Sequence, residues 1–180
     1  MTEANVFETI THSPEETMEL GRRFGAALKG GEVAALIGTL GTGKTHFIKG
    51  VAAGLGAAGL GAVNSPTFVL MNEYCARDGR LTVYHIDAYR LKSIEEFENL
   101  GVSDYLGPDA VLLIEWADKV LAALEGLDYI RIDFSHEGPT ERKIIIKGPA
   151  SFLACLQAES KSAGFPPSSF AKASEDKPRE

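Results

Sequence analysis

The run Gly38-Thr39-Leu40-Gly41-Thr42-Gly43-Lys44-Thr45 has the residue types and spacing to hold a polyphosphate. It fits G-x-x-x-x-G-K-[ST], the phosphate-binding loop of nucleoside triphosphatases. Gly38 and Gly43 lack a Cβ, so the backbone can turn tightly and bring its N–H groups against phosphate oxygens. The expected cradle comprises Gly38, Leu40, Gly41, Thr42, Gly43, Lys44, Thr45 and His46. Lys44 adds a cationic head for the β- and γ-phosphates, and Thr45 offers a hydroxyl to the Mg²⁺ that accompanies a nucleotide.

A second run, Ala110-Val-Leu-Leu-Ile-Glu115-Trp116, is an apolar strand ending in a carboxylate. In phosphate-loop proteins such a strand lies beside the loop's own strand, and its terminal acid faces the magnesium, directly or through water. The competing reading is a buried strand that simply ends at the surface; with the loop in the same chain, the metal role for Glu115 is preferred. A third group is Tyr84-His85-Ile86-Asp87-Ala88-Tyr89-Arg90, where alternation puts His85, Asp87 and Tyr89 on one face. His85 and Asp87 side by side could tune each other or approach a metal. Taken without context, a solvated strand face is the plainer reading.

These residues need a frame that holds them. Glu32 to Ile37 reads as a buried strand before the loop. Lys44 to Leu55 reads as a helix after it, with Phe47, Ile48, Val51 and Leu55 at helical spacing. Strand, loop and helix N-terminus in that order place an anion where the helix dipole favours it. Upstream, Asn5 to Ile10 predicts a strand, and Ser13-Pro14-Glu15-Glu16 starts a helix that stops at Gly30-Gly31. Glycines 54, 56, 59 and 61 break the loop helix and lead to Ser65-Pro66-Thr67-Phe68, either a plain turn or a ligand-facing segment with two hydroxyls.

Val69 to Ala76 and Leu81 to Ala88 pair across an Asp78-Gly79 turn. Ser93 to Leu100 is a short helix and Val102 to Leu106 is irregular. Ala117 to Leu124 is expected as a helix, Tyr129 to Phe134 and Lys143 to Ile146 as an antiparallel pair, and Pro149 to Glu159 as the last helix. Asp104-Tyr-Leu-Gly107 matches D-x-x-G by chance: no strand precedes it, and no N-K-x-D guanine reader follows.

With 180 residues, 44% of them hydrophobic, the chain can bury one core. We expect one domain over residues 1–159 and a disordered tail over 160–180, whose small, polar and proline residues cannot offset their ordering entropy. Lysine and arginine number 18 against 25 acids, a net charge of −7. That argues against strong independent nucleic-acid binding, which needs a concentrated basic surface. The N-terminus lacks a basic region followed by an apolar run, and no apolar stretch approaches the roughly 20 residues of a membrane helix. Cys75 and Cys155 show no metal or redox spacing. A cytoplasmic protein with reduced thiols is expected.

The phosphate loop, Ser65-Pro66-Thr67-Phe68, His85-x-Asp87-x-Tyr89-Arg90-Leu91 and Ile114-Glu115-Trp116, in this order, resemble the bacterial TsaE (YjeE) family of tRNA threonylcarbamoyladenosine biosynthesis ATPases. The resemblance covers about residues 5–150. It implies a single α/β P-loop NTPase domain with a central mixed β-sheet flanked by helices. It also implies a weak ATPase, using ATP and Mg²⁺, that works with TsaD and TsaB and meets tRNA only through them. In that family hydrolysis supports turnover of the TsaB–TsaD transferase on tRNAs reading codons that begin with A.

Carried over by motif, Lys44 and Thr45 hold phosphates and magnesium, and Glu115 is the Walker B acid. Asp87 is an acid needed for hydrolysis, Ser65 to Phe68 a switch-like loop, and Trp116 the aromatic after the Walker B acid. Which of Asp87 and Glu115 orients water stays open; Glu115 is expected near the metal and Asp87 nearer the water. Two positions depart from the pattern: Thr39 stands where Asp is usual, and His46 where Ser or Thr is. Two other functions share the loop, a small-molecule kinase and a nucleotide-gated binding module with negligible hydrolysis. A kinase commonly carries an arginine-bearing lid, and the arginines here are scattered along the chain.

Overall fold

In a computed structural model, the structure describes the backbone of residues 5–57 and 70–162, and side chains through residue 158. The Ser65–Phe68 segment and the expected tail beyond residue 162 lie outside the described residues. Seven strands form one sheet: β1 (Asn5–Thr11), β2 (Val33–Ile37), β3 (Met71–Cys75), β4 (Thr82–Asp87), β5 (Ala110–Glu115), β6 (Ile130–His136) and β7 (Arg142–Gly148). Their spatial order is β1-β7-β6-β2-β5-β4-β3. Parallel pairs join β2 to β5, β2 to β6 and β4 to β5, while β1/β7, β6/β7 and β3/β4 are antiparallel. The sheet is mixed, as expected.

Helices α1 (Pro14–Ala27), α2 (Lys44–Gly54) and α4 (Ala150–Ser162) share the larger core, and α3 (Ile94–Glu98) belongs to the smaller one across the sheet. The phosphate loop is central because β2 is central. All but the last of its residues are buried, as suits a strand flanked by parallel neighbours and covered on both faces. Leu36 faces the core of α1, α2 and α4, and Ala35 the opposite core. Edge-on aromatic contacts tie that larger core together: Phe24 of α1 lies 5.2 Å from Phe47 of α2 and 4.8 Å from Phe152 of α4. Phe47 in turn lies 5.5 Å from Phe134 of β6.

Helix α1 starts as its sequence directs. Ser13 Oγ accepts the Glu16 N–H at 3.2 Å, while Glu16 Oε2 accepts the His12 N–H at 2.8 Å. The first bond caps the helix, and the second ties down the residue before the cap. Three elements differ from the expectation. Ala117 to Leu124 is two 3₁₀ turns, Ala117–Lys119 and Leu121–Leu124, instead of one helix. The break lies at Val120, with φ −127° and ψ 14°, which cannot continue a helix. Val102–Tyr105 forms a 3₁₀ turn where irregular chain was expected. Helix α4 runs past Glu159 to Ser162, since neither glycine nor proline intervenes to stop it. Among the described residues no helix is long and apolar enough to cross a membrane.

The contact between α1 and α2 rests on glycines that carried no such meaning in the sequence. A Cβ on Gly21 would lie 2.1 Å from the Phe47 carbonyl oxygen, and one on Gly25 2.3 Å from that of Val51. In return, a Cβ on Gly50 would meet the Met18 oxygen at 2.0 Å, and one on Gly54 the Arg22 oxygen at 2.0 Å. Two glycines one turn apart on each helix let the backbones touch, and Gly54, read as a breaker, is part of the contact. The obstacles are backbone atoms and cannot swing aside. Gly50→Ala should therefore cost about 3 kcal/mol or more by urea unfolding. Gly107→Ala, where an added Cβ meets nothing within 4 Å, should stay within about 0.5 kcal/mol.

Candidate functional site

Glycines set the path of the phosphate loop. Gly43 caps α2 in the left-handed region with φ 97°, and Gly38 approaches β6 so closely that a Cβ would fall 2.5 Å from the Phe134 carbonyl oxygen. Helix α2 then opens at Lys44, and the first turn of a helix leaves N–H groups without intrahelical partners. Thr42 is buried, and its hydroxyl donates to the Thr39 carbonyl at 2.8 Å. Leu40, by contrast, is 80% exposed at the loop apex. His46 is exposed on the first turn of α2.

The Lys44 ammonium is folded onto the loop, donating to the carbonyls of Gly38 at 2.6 Å and Thr39 at 2.9 Å. It also stands 3.9 Å from the centre of the Trp116 ring, a cation–π contact. Burial pulls its pKa below the ordinary lysine value, while Glu115, Asp118 and Asp87 oppose that shift. Trp116 itself has φ 58°, a backbone conformation that bulky residues rarely adopt. That turn sends the chain away from β5 immediately after Glu115 and brings the indole against Tyr89, with ring centres 4.8 Å apart. Lys119 caps the group, donating to the Tyr89 carbonyl.

Parallel pairing of β2 with β5 sets Leu36 opposite Glu115, and pairing of β4 with β5 sets Asp87 opposite Glu115. The three strands thus end together beside the N-terminus of α2. The Thr45 hydroxyl lies 3.2 Å and 3.3 Å from the two Glu115 carboxylate oxygens. On the other side His85 Nε2 lies 3.1 Å from Glu115 Oε1. His85 is fully buried and Glu115 2% exposed, which overturns the solvated-face reading of the His85 and Asp87 side of β4. Alternation finds that face, but not that it turns toward the larger core, where Val83 of the same face is buried.

Asp87 is 9% exposed and accepts the Tyr89 N–H through Oδ1 at 3.0 Å. Burial pushes its carboxyl above the usual range and the nearby Glu115 charge adds to that. The Tyr89 N–H, His85 and Lys44 act the other way. Lys44, Thr45, Asp87 and Glu115 are thus gathered in one place. The chemistry of that donor set suits a nucleotide with magnesium: backbone N–H groups and an ammonium for phosphate, one hydroxyl beside one carboxylate for a hard cation that is usually shared with phosphate.

Two contacts were not visible in the sequence. His136 Nε2 lies 3.4 Å from the Leu40 carbonyl oxygen, and Arg142 Nε donates to that of Gly41 at 3.2 Å. The two residues face each other across β6 and β7, so the end of that hairpin steadies the loop apex. No local signal marks them; only the pairing of two distant strands brings them there.

Comparison with known proteins finds a matching family and a matching fold. A sequence profile of the family described as "Threonylcarbamoyl adenosine biosynthesis protein TsaE" matches residues 11–144. The chain is 41% identical over 134 residues to the tRNA threonylcarbamoyladenosine biosynthesis protein TsaE of Bacillus subtilis, spanning 74% of this chain and 80% of that one. It is 40% identical over 115 residues to the protein of the same name from Treponema pallidum, spanning 64% and 82%. The crystal structure of Bacillus subtilis YdiB superposes with a TM-score of 0.66 at 28% identity, covering 91% of this chain and 100% of that one.

The raised carboxyl of Asp87 has a consequence for stability. Its ordinary value is 3.8 and the folded value is higher, so the native state holds its proton more firmly than the unfolded chain does. The group's stabilising contribution is therefore complete below its ordinary value and is lost as pH rises through the raised one. At neutral pH the ionised carboxylate costs stability. Asp87→Asn keeps an oxygen for the Tyr89 N–H and should raise the melting temperature at neutral pH. That gain should shrink as pH falls toward the ordinary aspartate range, as thermal unfolding followed by circular dichroism would show.

Proposed function

The chain belongs to the TsaE family, and from that premise we propose that it is an ATPase of tRNA threonylcarbamoyladenosine biosynthesis. In this reading it works in the cytoplasm on a complex of TsaD and TsaB homologues, and its ATP turnover supports their modification of tRNAs reading codons that begin with A. The observation that carries the proposal is the contact of Thr45 with Glu115. It joins the start of the phosphate-loop helix to the end of β5, and that pairing suits a nucleotide bound with magnesium. The acidic composition is consistent with reaching tRNA through partners.

In this mechanism the residues divide the work. The amides of Gly38, Leu40, Gly41, Thr42 and Gly43, continuing into the first turn of α2 through His46, donate to phosphate oxygens. Lys44 turns its ammonium from the Gly38 and Thr39 carbonyls to the phosphates and stabilises charge as it develops there. Thr45 and Glu115 would hold magnesium. When bound, magnesium supplies positive charge against the phosphate oxygens. Asp87, with Oδ1 held by the Tyr89 N–H, orients the attacking water and takes up its proton. Its raised carboxyl favours that step, since a base works best with a pKa near the working pH.

Each assignment has its own readout. In the complex reconstituted with TsaB and TsaD homologues, Asp87→Asn should keep ATP affinity while phosphate release falls about 100-fold or more. Full hydrolysis by that variant would remove Asp87 from its role. Pull-downs with TsaB and TsaD should differ between ATP, ADP and no nucleotide. Phosphate transfer to a small acceptor without those partners would point instead to a kinase.

A further inference from the structure

One buried side chain at the site has no part in the chemistry above. His85 is fully enclosed, lies on the same face of β4 as Asp87, and reaches across to β5. Its ring stacks at 28° on that of Tyr74 from the neighbouring strand β3, with centres 6.4 Å apart.

We propose that His85 is a positioning residue, donating its Nε2 hydrogen to Glu115 Oε1 and so fixing the orientation of the carboxylate that faces Thr45. The inference rests on Thr45 and Glu115 being the magnesium pair. A carboxylate at the end of a strand can rotate about its last bonds, and the Thr45 contact does little to stop it. That single hydroxyl lies almost equally far from both oxygens, at 3.2 and 3.3 Å. It therefore does not distinguish one oxygen from the other.

The imidazole contact is one-sided: it engages Oε1, at 3.1 Å. It does not depend on the Thr45 hydroxyl, because His85 stands on β4 and Thr45 on α2. Donation to Glu115 requires the proton on Nε2. In the neutral ring Nδ1 is then an acceptor. That atom is buried and has no partner among the described residues, and an unmet acceptor is better tolerated than an unmet donor. Hydrogen-bond partners of metal ligands elsewhere orient those ligands, and their loss typically costs 10- to 100-fold in metal affinity or activity.

The test uses the full chain, with Trp116, the single tryptophan, as a fluorescent reporter beside Lys44. ADP binding is followed in EDTA and then across a magnesium titration. His85→Leu should raise the magnesium concentration for half-maximal response about 10-fold while ADP affinity in EDTA stays within about twofold. In His85→Gln the side-chain amide can take the place of Nε2–H, and it should recover most of the loss. Glu115→Gln should show the raised requirement too, and adding His85→Leu to it should raise it no further, because one acts through the other.

The proposal is overturned if Gln behaves like Leu, or if the two losses multiply in the double variant. A parallel fall of ADP affinity in EDTA would overturn it as well. Should the Leu variant not fold, His85→Asn replaces it: the shorter amide cannot reach Glu115, so Asn and Gln behaving alike would be equally fatal. A wild-type chain whose nucleotide binding ignores magnesium would end both this inference and the magnesium reading. A wild type that responds, with His85 variants unchanged, would end this inference alone.

Discussion

A carboxylate enclosed at the end of a central strand is the costliest feature of this molecule, and much of the site can be understood as its compensation. Moving such an ion out of water costs several kcal/mol unless hydrogen bonds and opposite charge replace the solvent. Glu115 is 2% exposed and is met by the Thr45 hydroxyl and the His85 ring, with the Lys44 ammonium near enough to feel its charge. Hydrogen bonds to charged groups contribute about 1.5–3 kcal/mol each, so two of them and a nearby cation are on the scale of the cost. Asp87 adds a second acid that nothing offsets as fully. The raised carboxyl of that residue reflects its burial first, and the Glu115 charge on the neighbouring strand adds to it.

That arrangement requires Thr45 to arrive at one end of β5 with little freedom, and the scaffold provides this through close packing. Helix α2 is pressed against α1 by reciprocal glycines and against β6 by Phe47. Its first residues inherit that rigidity. The same helix begins where the loop ends, so the backbone that holds α2 in place also aims the N–H groups of the cradle. At the other side of the loop, the β6–β7 hairpin steadies the apex through His136 and Arg142. Core packing and site geometry are one structure here, with no separate elements for each.

What the sequence reveals follows from how local each signal is. The loop, β5 and the cap of α1 are written in adjacent residues, and the expected order of strand, loop and helix is found. Alternation along β4 groups His85 with Asp87, yet it carries no information on what covers a face, and so it does not reveal the burial of His85. Gly21, Gly25, Gly50 and Gly54 are silent for a similar reason. Within one helix they are weak residues, and they acquire a purpose only once the second helix is in place. The two 3₁₀ turns after Trp116 depend on a left-handed backbone at a tryptophan, which propensity argues against.

The two departures from the family pattern fall where the backbone matters more than the side chain. Thr39 contributes its carbonyl, which accepts from both Lys44 and the Thr42 hydroxyl; any residue supplies that oxygen. His46 sits exposed at the start of α2, where its N–H belongs to the helix N-terminus whatever its side chain. A position whose contribution is an amide or a carbonyl can change residue type freely so long as its φ and ψ are kept. Lys44, Thr45 and Glu115 have no such freedom, because their side-chain atoms make the contacts themselves. The same reasoning puts Gly43 with the fixed set: its φ of 97° is closed to most side chains. Substitution at Thr39 and His46, but not at Gly43, Lys44 or Thr45, is thus what the geometry of the loop permits.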